Sequence, residues 1–339
     1  MLDERLRVRE KRVRHVQHRS ARSGLPHTRL WSRNTVVDVS VIIPCRDAGE
    51  YALEAVASVA SQTAKPREVL LADDGSRDHS VESVRARYPD VRIVPGPFGG
   101  ASEARNAALR EARGAFVAFL DADDRWDDNH LARALALLGE RGDVAYLGHF
   151  DLLDERGART KIPLLPELTA ARFGMTLDNF LQLFLQGLPN GSASYVVRRE
   201  AVEAIGGFDP TQLRANDLDF WLRLVRDYTW CYDPHPSVCY RMRTGGNLSQ
   251  DIPSRSYFRL RAFLRLRDSG VAPNPWLERL IRYWSEQALR TAAIRGRAED
   301  WQRAVRLVDK RTASMLAWGV FRAVRSRIEA FTSLGTARS

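Results

Sequence analysis

From residue 39 onward short apolar runs alternate with amphipathic stretches, and the alternation predicts a β-α order. Val39–Ile43 reads as a buried strand. Tyr51–Ser61 follows as a helix with Leu53, Val56 and Ala60 on one face, and Val69–Ala72 is the next strand. Val81 and Val84 mark a second helix, Val91–Val94 a third strand, Ala101–Ala112 a third helix and Phe116–Leu120 a fourth strand. Strands spaced by helices in this way predict an α/β fold, a Rossmann-like, mostly parallel sheet flanked by helices.

Further along the pattern is less regular. A helix is expected to begin near Asp127–Leu131, and residues 157–189 are loop-rich around one helix at Leu177–Gln186. Ala193–Val197 reads as a strand, Glu200–Ile205 as a short helix ended by Gly206 and Gly207, Asp217–Arg226 as a helix and Val238–Met242 as a late strand. From about Ser254 Arg- and Leu-rich helical periods take over, broken at Gly270–Pro275 and Gly296. Three regions are therefore expected: an arm over 1–37, an α/β domain over 38–253 and a helical region over 254–339. The arm, with Arg5, Arg7, Arg9, Lys11 and Arg12, has little apolar periodicity and reads as a frayed helix or a disordered segment. Residues 311–331 set Leu316, Trp318, Phe321 and Ile328 against Arg311, Arg322, Arg325 and Arg327. Such a basic amphipathic helix either lies at a lipid interface or packs on the protein or on a second copy of it.

Composition narrows the class without naming a function. With 339 residues, 44% hydrophobic and 28% charged, the chain is globular and long enough for about two domains. Cys45, Cys231 and Cys239 are far apart with no C-x-x-C pair, which implies neither a disulfide framework nor a structural zinc site. There is no run of about 18 apolar residues and no signal-peptide pattern. The expected place is the cytoplasm, including the inner face of the cell membrane. The net charge of +10 suggests nucleic acid until it is located. Residues 1–37 hold ten basic and three acidic side chains, residues 254–339 eighteen and seven, so residues 38–253 carry −8. An acidic body between basic ends suits a catalytic domain whose ends meet an anionic membrane surface, and nucleic acid is not expected as a partner.

The chemistry concentrates in acidic loops. Asp121 and Asp123 follow the strand Phe116–Leu120, at the sheet edge where open α/β sheets place ligands. Two such carboxylates can hold Mg²⁺ or Mn²⁺ together with a diphosphate, or merely cap the helix that follows. Asp73 and Asp74 close another strand, with the same two readings. Asp217 precedes Phe220 and Trp221 at a helix start, a setting for a base tuned by burial and the helix N-terminus, or for a plain cap.

In order, Val39-Ser-Val-Ile-Ile-Pro44, Ala72-Asp-Asp-Gly-Ser76, Gly100-Ala-Ser-Glu-Ala-Arg-Asn106, Phe119-Leu-Asp-Ala-Asp-Asp124, Ile205-Gly-Gly-Phe-Asp209 and Asn216-Asp-Leu-Asp-Phe-Trp-Leu-Arg223 resemble the inverting glycosyltransferases of family 2, which have the GT-A fold. The resemblance covers about residues 38–250. It implies that Asp73 and Asp74 contact nucleobase and ribose beside Pro44 and Arg46, with Arg105 near the nucleotide. It implies that Asp121 and Asp123 form the DxD signature that holds ribose and a divalent cation, Mn²⁺ or Mg²⁺, and that Asp217 is the general base. The expected reaction moves a single sugar from a nucleotide-sugar donor, a UDP-sugar being favoured, to a glycan or lipid-linked acceptor with inversion.

The chain departs from that pattern in three places. Asn216 replaces a Glu, Asp47 an Asn, and Tyr240-Arg241-Met242-Arg243 stands where a Tyr-Arg-x-His is typical. Arg243 cannot ligate a metal but can fork onto a diphosphate. Asp123 and phosphate alone are then favoured to hold the cation, with His235 as the other candidate. No Gln-x-x-Arg-Trp signature of processive synthases occurs. A nucleotidyltransferase lacks its Gly-rich basic loop at Pro44–Gly49, and an anionic-polymer binder accounts only for the ends.

Overall fold

The computed structural model describes residues 35–243, 252–295 and 298–308. The arm as far as residue 34 and the 311–331 stretch lie outside these residues. Two compact units are distinguished, Met1–Thr211 with Arg223–Gly245, and Gln212–Leu222 with Gly246–Ser339.

The first unit is built on a ten-stranded sheet. An interior strand of it is β1 (Thr35–Cys45), whose Val39, Val41, Ile42 and Ile43 are fully buried. Such a β-branched run, buried on both faces, is what a central parallel strand requires. On one side lie β2 (Ala64–Asp73) and then β3 (Arg92–Pro95), on the other β4 (Phe116–Phe119), all parallel. The connecting helices are α1 (Glu50–Ala60), α2 (Ser80–Arg87) and α3 (Ala101–Glu111). At Gly114, entering β4, a Cβ would lie 2.6 Å from the Ser40 nitrogen, so only glycine allows this approach to β1.

Register sets where the loops emerge. Cys45 pairs with Asp73, Asp73 with Pro95, and Ile42 with Phe119, so the chain leaves β1, β2 and β4 at one edge.

Beyond β4 the sheet is mixed, with antiparallel strands beside the parallel ones. β9 (Tyr195–Arg198) pairs antiparallel with β4, and β6 (Ala145–Leu153) antiparallel with β9. β10 (Trp230–Arg241) runs parallel to β6 and carries the short antiparallel β5 (Arg125–Trp126). β7 (Arg159–Thr160) adds to β6 and β8 (Arg172–Met175) to β10. Between them, α4 (His130–Arg141), α5 (Leu177–Gln186) and α6 (Arg199–Ala204) follow the expected helices within three residues. Val41, Ile43, Val56, Leu71, Leu131 and Val196 share one core.

The second unit is helical. α7 (Asn216–Val225) begins in it, and α8 (Ile252–Asp268), α9 (Pro275–Arg295) and α10 (Ala298–Leu307) pack together around Leu260, Phe263, Leu280 and Ile281. Asn274 starts α9 by accepting the N–H groups of Trp276 and Leu277 at 2.9 and 3.0 Å, with Pro275 at the first helical position. Among the described residues no helix is long and apolar enough to cross a membrane.

Candidate functional site

The loops after β1 and β2 are laced into one body. Asp47 stands in the left-handed region at φ 47°. Its N–H donates to Ser76 Oγ at 3.1 Å, while its carboxylate accepts the Arg77 N–H at 2.7 Å. The Gly49 N–H donates to Asp78 Oδ2 and to Ser80 Oγ, both at 2.8 Å. Pro44 pairs with Ala72 just before these loops open.

Asp73 and Asp74 use their carboxylates differently. Asp73 Oδ1 accepts the Ser76 N–H at 2.9 Å and shapes its own turn. Asp74, 6% exposed, accepts the N–H groups of Phe98 and Gly99 on Oδ1 at 2.6 and 2.9 Å, which ties down the loop leading into α3. Its Oδ2 lies 3.5 Å from Nη1 of the exposed Arg46.

Asp121 comes two residues after the paired Ile42 and Phe119, level with Pro44 across the β1–β4 ladder. Its carboxylate is bonded by the Arg105 guanidinium and accepts the Ser192 hydroxyl at 3.3 Å. Arg105 projects from α3, is 3% exposed and lies over the Phe208 ring at 5.0 Å. Its Nε and Nη1 have no hydrogen-bond partner among the described residues. Asp123 Oδ2 lies 3.7 Å from Arg243 Nη1. Burial, with the Asp121 charge second, pushes the Asp123 carboxyl above the usual range. Burial and the charges of Asp123 and Asp121 push the enclosed Asp124 well above it.

Three residues that the sequence pattern did not single out complete this edge. Arg241, 3% exposed, donates from Nε to the Asp123 carbonyl at 2.8 Å and from Nη2 to Glu54 Oε2 at 2.5 Å. Its guanidinium lies over the Tyr51 ring at 4.5 Å, and that of Arg243 lies 5.3 Å from the same ring centroid. Arg241 belongs to the Tyr240-Arg241-Met242-Arg243 segment; Tyr51 and Glu54 open an ordinary amphipathic helix, whose pattern carries no signal of a site.

Among the described residues no group of three His, Cys, Asp or Glu side chains could enclose a metal. A Mg²⁺ or Mn²⁺ ion does not need such a cage, because substrate phosphates and water complete its oxygen shell. The Asp121 charge adds to burial in raising the Asp123 carboxyl, and that added negative field is what a cation offsets, so the donor set of Asp121 and Asp123 fits one. The His235 ring instead lies 3.2 Å from Asp233, which is clasped by the Arg133 fork at 2.7 and 2.8 Å. A separate cleft of about 780 Å³, lined in part by Arg125, Asp127, Arg133 and His235, shares only Glu54 with the site.

Asp217 belongs to the second unit, in the first turn of α7. It is half-buried, and its Oδ1 accepts the Leu218 N–H at 2.8 Å. Two side chains of the same chain segment are fixed within that unit: Asp219 pairs with Arg265 at 3.2 Å, and Gln212 donates to the Phe258 carbonyl at 2.7 Å. The first unit therefore gathers Pro44, Arg46, Asp73 and Asp74 on two laced loops, Arg105 with Asp121, and Arg243 with Asp123.

A mixed sheet with acidic loops at the parallel edge is the architecture of GT-A-type transferases. Residues 40–206 match the family described as Glycosyl transferase family 2. The putative teichuronic acid biosynthesis glycosyltransferase TuaG of Bacillus subtilis is 30% identical over 194 residues, 56% of this chain and 72% of that protein. The chain belongs to glycosyltransferase family 2. It spans 31% of an uncharacterized glycosyltransferase of Rickettsia felis, to which it is 27% identical over 192 residues, 56% of its own length. In three dimensions it is similar to S. aureus TarS 1-349 in complex with UDP-GlcNAc, with a TM-score of 0.66 at 17% identity over 87% of this chain and 91% of that one. It is also similar to the mannosyltransferase PcManGT from Pyrobaculum calidifontis in complex with GDP-Man and Mn²⁺, with a TM-score of 0.54 at 18% identity over 96% and 92%.

Proposed function

We propose that this protein transfers one sugar from a nucleotide-sugar donor, UDP-sugars being favoured, to an acceptor hydroxyl with inversion at the anomeric carbon, in the making of a cell-envelope glycan. The observation that carries the reading is the edge where Asp121 and Asp123, each beside an arginine, follow the strand next to the laced loops of Asp73 and Asp74. The relative named for teichuronic acid biosynthesis supports the envelope assignment.

In this reading Pro44, Arg46 and Asp73 bound the nucleoside, and Asp74 acts with them through the loop it holds. Arg105 holds Asp121 in place toward the ribose. Asp121 and Asp123 would hold Mn²⁺ or Mg²⁺, as the Mn²⁺ in the PcManGT structure suggests by likeness of fold. When bound, the cation supplies positive charge against the negative charge of the departing nucleoside diphosphate. Arg243 offers a planar fork of N–H donors to the same diphosphate. Asp217, in the first turn of α7, takes the proton from the acceptor hydroxyl. Attack from the face opposite the leaving group inverts the anomeric centre.

The acceptor is a glycan or a lipid-linked intermediate. The net +7 of residues 1–37 and +11 of residues 254–339 suit docking on the anionic inner face of the cell membrane. Sedimentation with anionic vesicles, lost as salt is raised, tests that part. For the donor, a thermal-shift panel of nucleoside diphosphates and nucleotide sugars with Mn²⁺ tests the reading: stabilisation by one base series supports it, and no response to any member contradicts it.

A further inference from the structure

Tyr51 has no part in the reaction as described, yet two guanidinium groups meet on its ring. The Arg241 group, 4.5 Å from the ring centroid, is fixed by Glu54 and by the Asp123 carbonyl. The Arg243 group, 5.3 Å from that centroid, approaches Asp123 at 3.7 Å, longer than a hydrogen bond. Tyr51 and Glu54 are three residues apart on α1, so one helix face presents the ring and the carboxylate together.

We propose that Tyr51 is a positioning residue for the donor: its ring holds the Arg243 guanidinium beside Asp123 so that the fork meets the diphosphate of a nucleotide sugar. This rests on the donor-site reading given above. A long arginine side chain at a strand end samples many rotamers, and binding an anion through it costs the entropy of choosing one. Stacking on an aromatic face removes part of that cost in advance, while the in-plane N–H groups of a guanidinium remain directed away from the ring. Arg241, anchored to Glu54 and to the turn that carries Asp123, gives the ring a second cationic contact at 4.5 Å. The group recognised is the second phosphate, so the effect of Tyr51 should depend on that phosphate being present.

The experiment titrates UDP and UMP into the full chain at fixed Mn²⁺, comparing wild type, Tyr51→Phe, Tyr51→Leu, Arg243→Ala and the Tyr51→Leu/Arg243→Ala double variant. Tyr51→Phe keeps the ring and should bind UDP as wild type does. Tyr51→Leu should weaken UDP about threefold to tenfold and leave UMP unchanged. The double variant should be no weaker than Arg243→Ala alone, since the ring acts through that side chain. Thermal unfolding verifies that each variant is folded, and Tyr51→Met replaces Tyr51→Leu in every comparison should the latter not fold. Equal losses for UDP and UMP, additive losses in the double variant, or wild-type UDP affinity in Tyr51→Leu would overturn the proposal. If wild type binds neither UDP nor UMP, the donor-site reading itself fails, which is a different result from any of these.

Discussion

The main-chain N–H of Arg241 donates to Oδ1 of Asp124 at 2.8 Å, joining the end of β10 to the acidic turn across 117 residues of sequence. The same arginine also donates from Nε to the Asp123 carbonyl at 2.8 Å, so one residue holds the turn by two bonds. Asp124→Ala leaves the buried N–H without its acceptor and should cost about 1–3 kcal/mol of stability. Urea unfolding reads the loss; an unchanged midpoint would mean that this bond does not hold the turn.

Asp74 is tied to the backbone by two bonds, from Phe98 and Gly99. Asp74→Ala should therefore raise hydrogen exchange in residues 96–100 far more than Asp73→Ala, whose bond is to the local Ser76 N–H. Similar exchange in the two variants would put Asp74 outside the loop's support.

Asp217→Asn removes a proton acceptor but keeps a side chain of the same shape. Transfer should fall by roughly 10²–10⁴-fold with donor affinity nearly unchanged, as for loss of a general base. Turnover assays beside nucleotide titration separate the two effects, and full turnover in the variant would sink the assignment.

His130 makes the stability of the fold depend on pH. Its ring is buried, stacks on Trp126 at 4.4 Å and meets Ser237 Oγ at 2.9 Å. Burial pushes its pKa down to about 3, against the opposing pull of Asp233. The unfolded chain takes up the proton near pH 6.5 while the folded chain refuses it, so this contribution is intact above that pH. It should fall by about 1.4 kcal/mol per unit between roughly pH 6.5 and 3. His130→Phe lacks the titrating group, so the stability difference between wild type and variant should move toward the variant across that window. A difference that stays constant with pH would contradict the buried neutral imidazole.

The parallel half of the sheet was legible because its strands are short apolar runs, two of which, β2 and β4, are closed by paired aspartates within a few residues. The direction of β9 was not, because it reaches β4 after a long connection that includes β6, and alternation carries no information about orientation. β6 itself, Ala145–Leu153, mixes Gly148, His149 and Asp151 into an apolar run and gave no clear period. Only the last part of β10 was foreseen, because Pro234 and Pro236 lie where its ladder with β6 breaks, between Asp233 and Val238. At the site, the aspartates were visible by type and spacing. The stack of Arg241 on Tyr51, and its bond to Glu54 across 187 residues, depends on tertiary contact that no local pattern encodes.

Whether the edge bearing Asp121 and Asp123 binds the diphosphate of a nucleotide with a divalent cation is read by calorimetric titration of UDP into wild type and Asp123→Ala, each with and without Mn²⁺. Saturable binding to wild type that strengthens with Mn²⁺, and a variant whose weaker binding no longer responds to the metal, is the expected result. Equal affinity in wild type and variant, or wild-type binding indifferent to Mn²⁺, would contradict it.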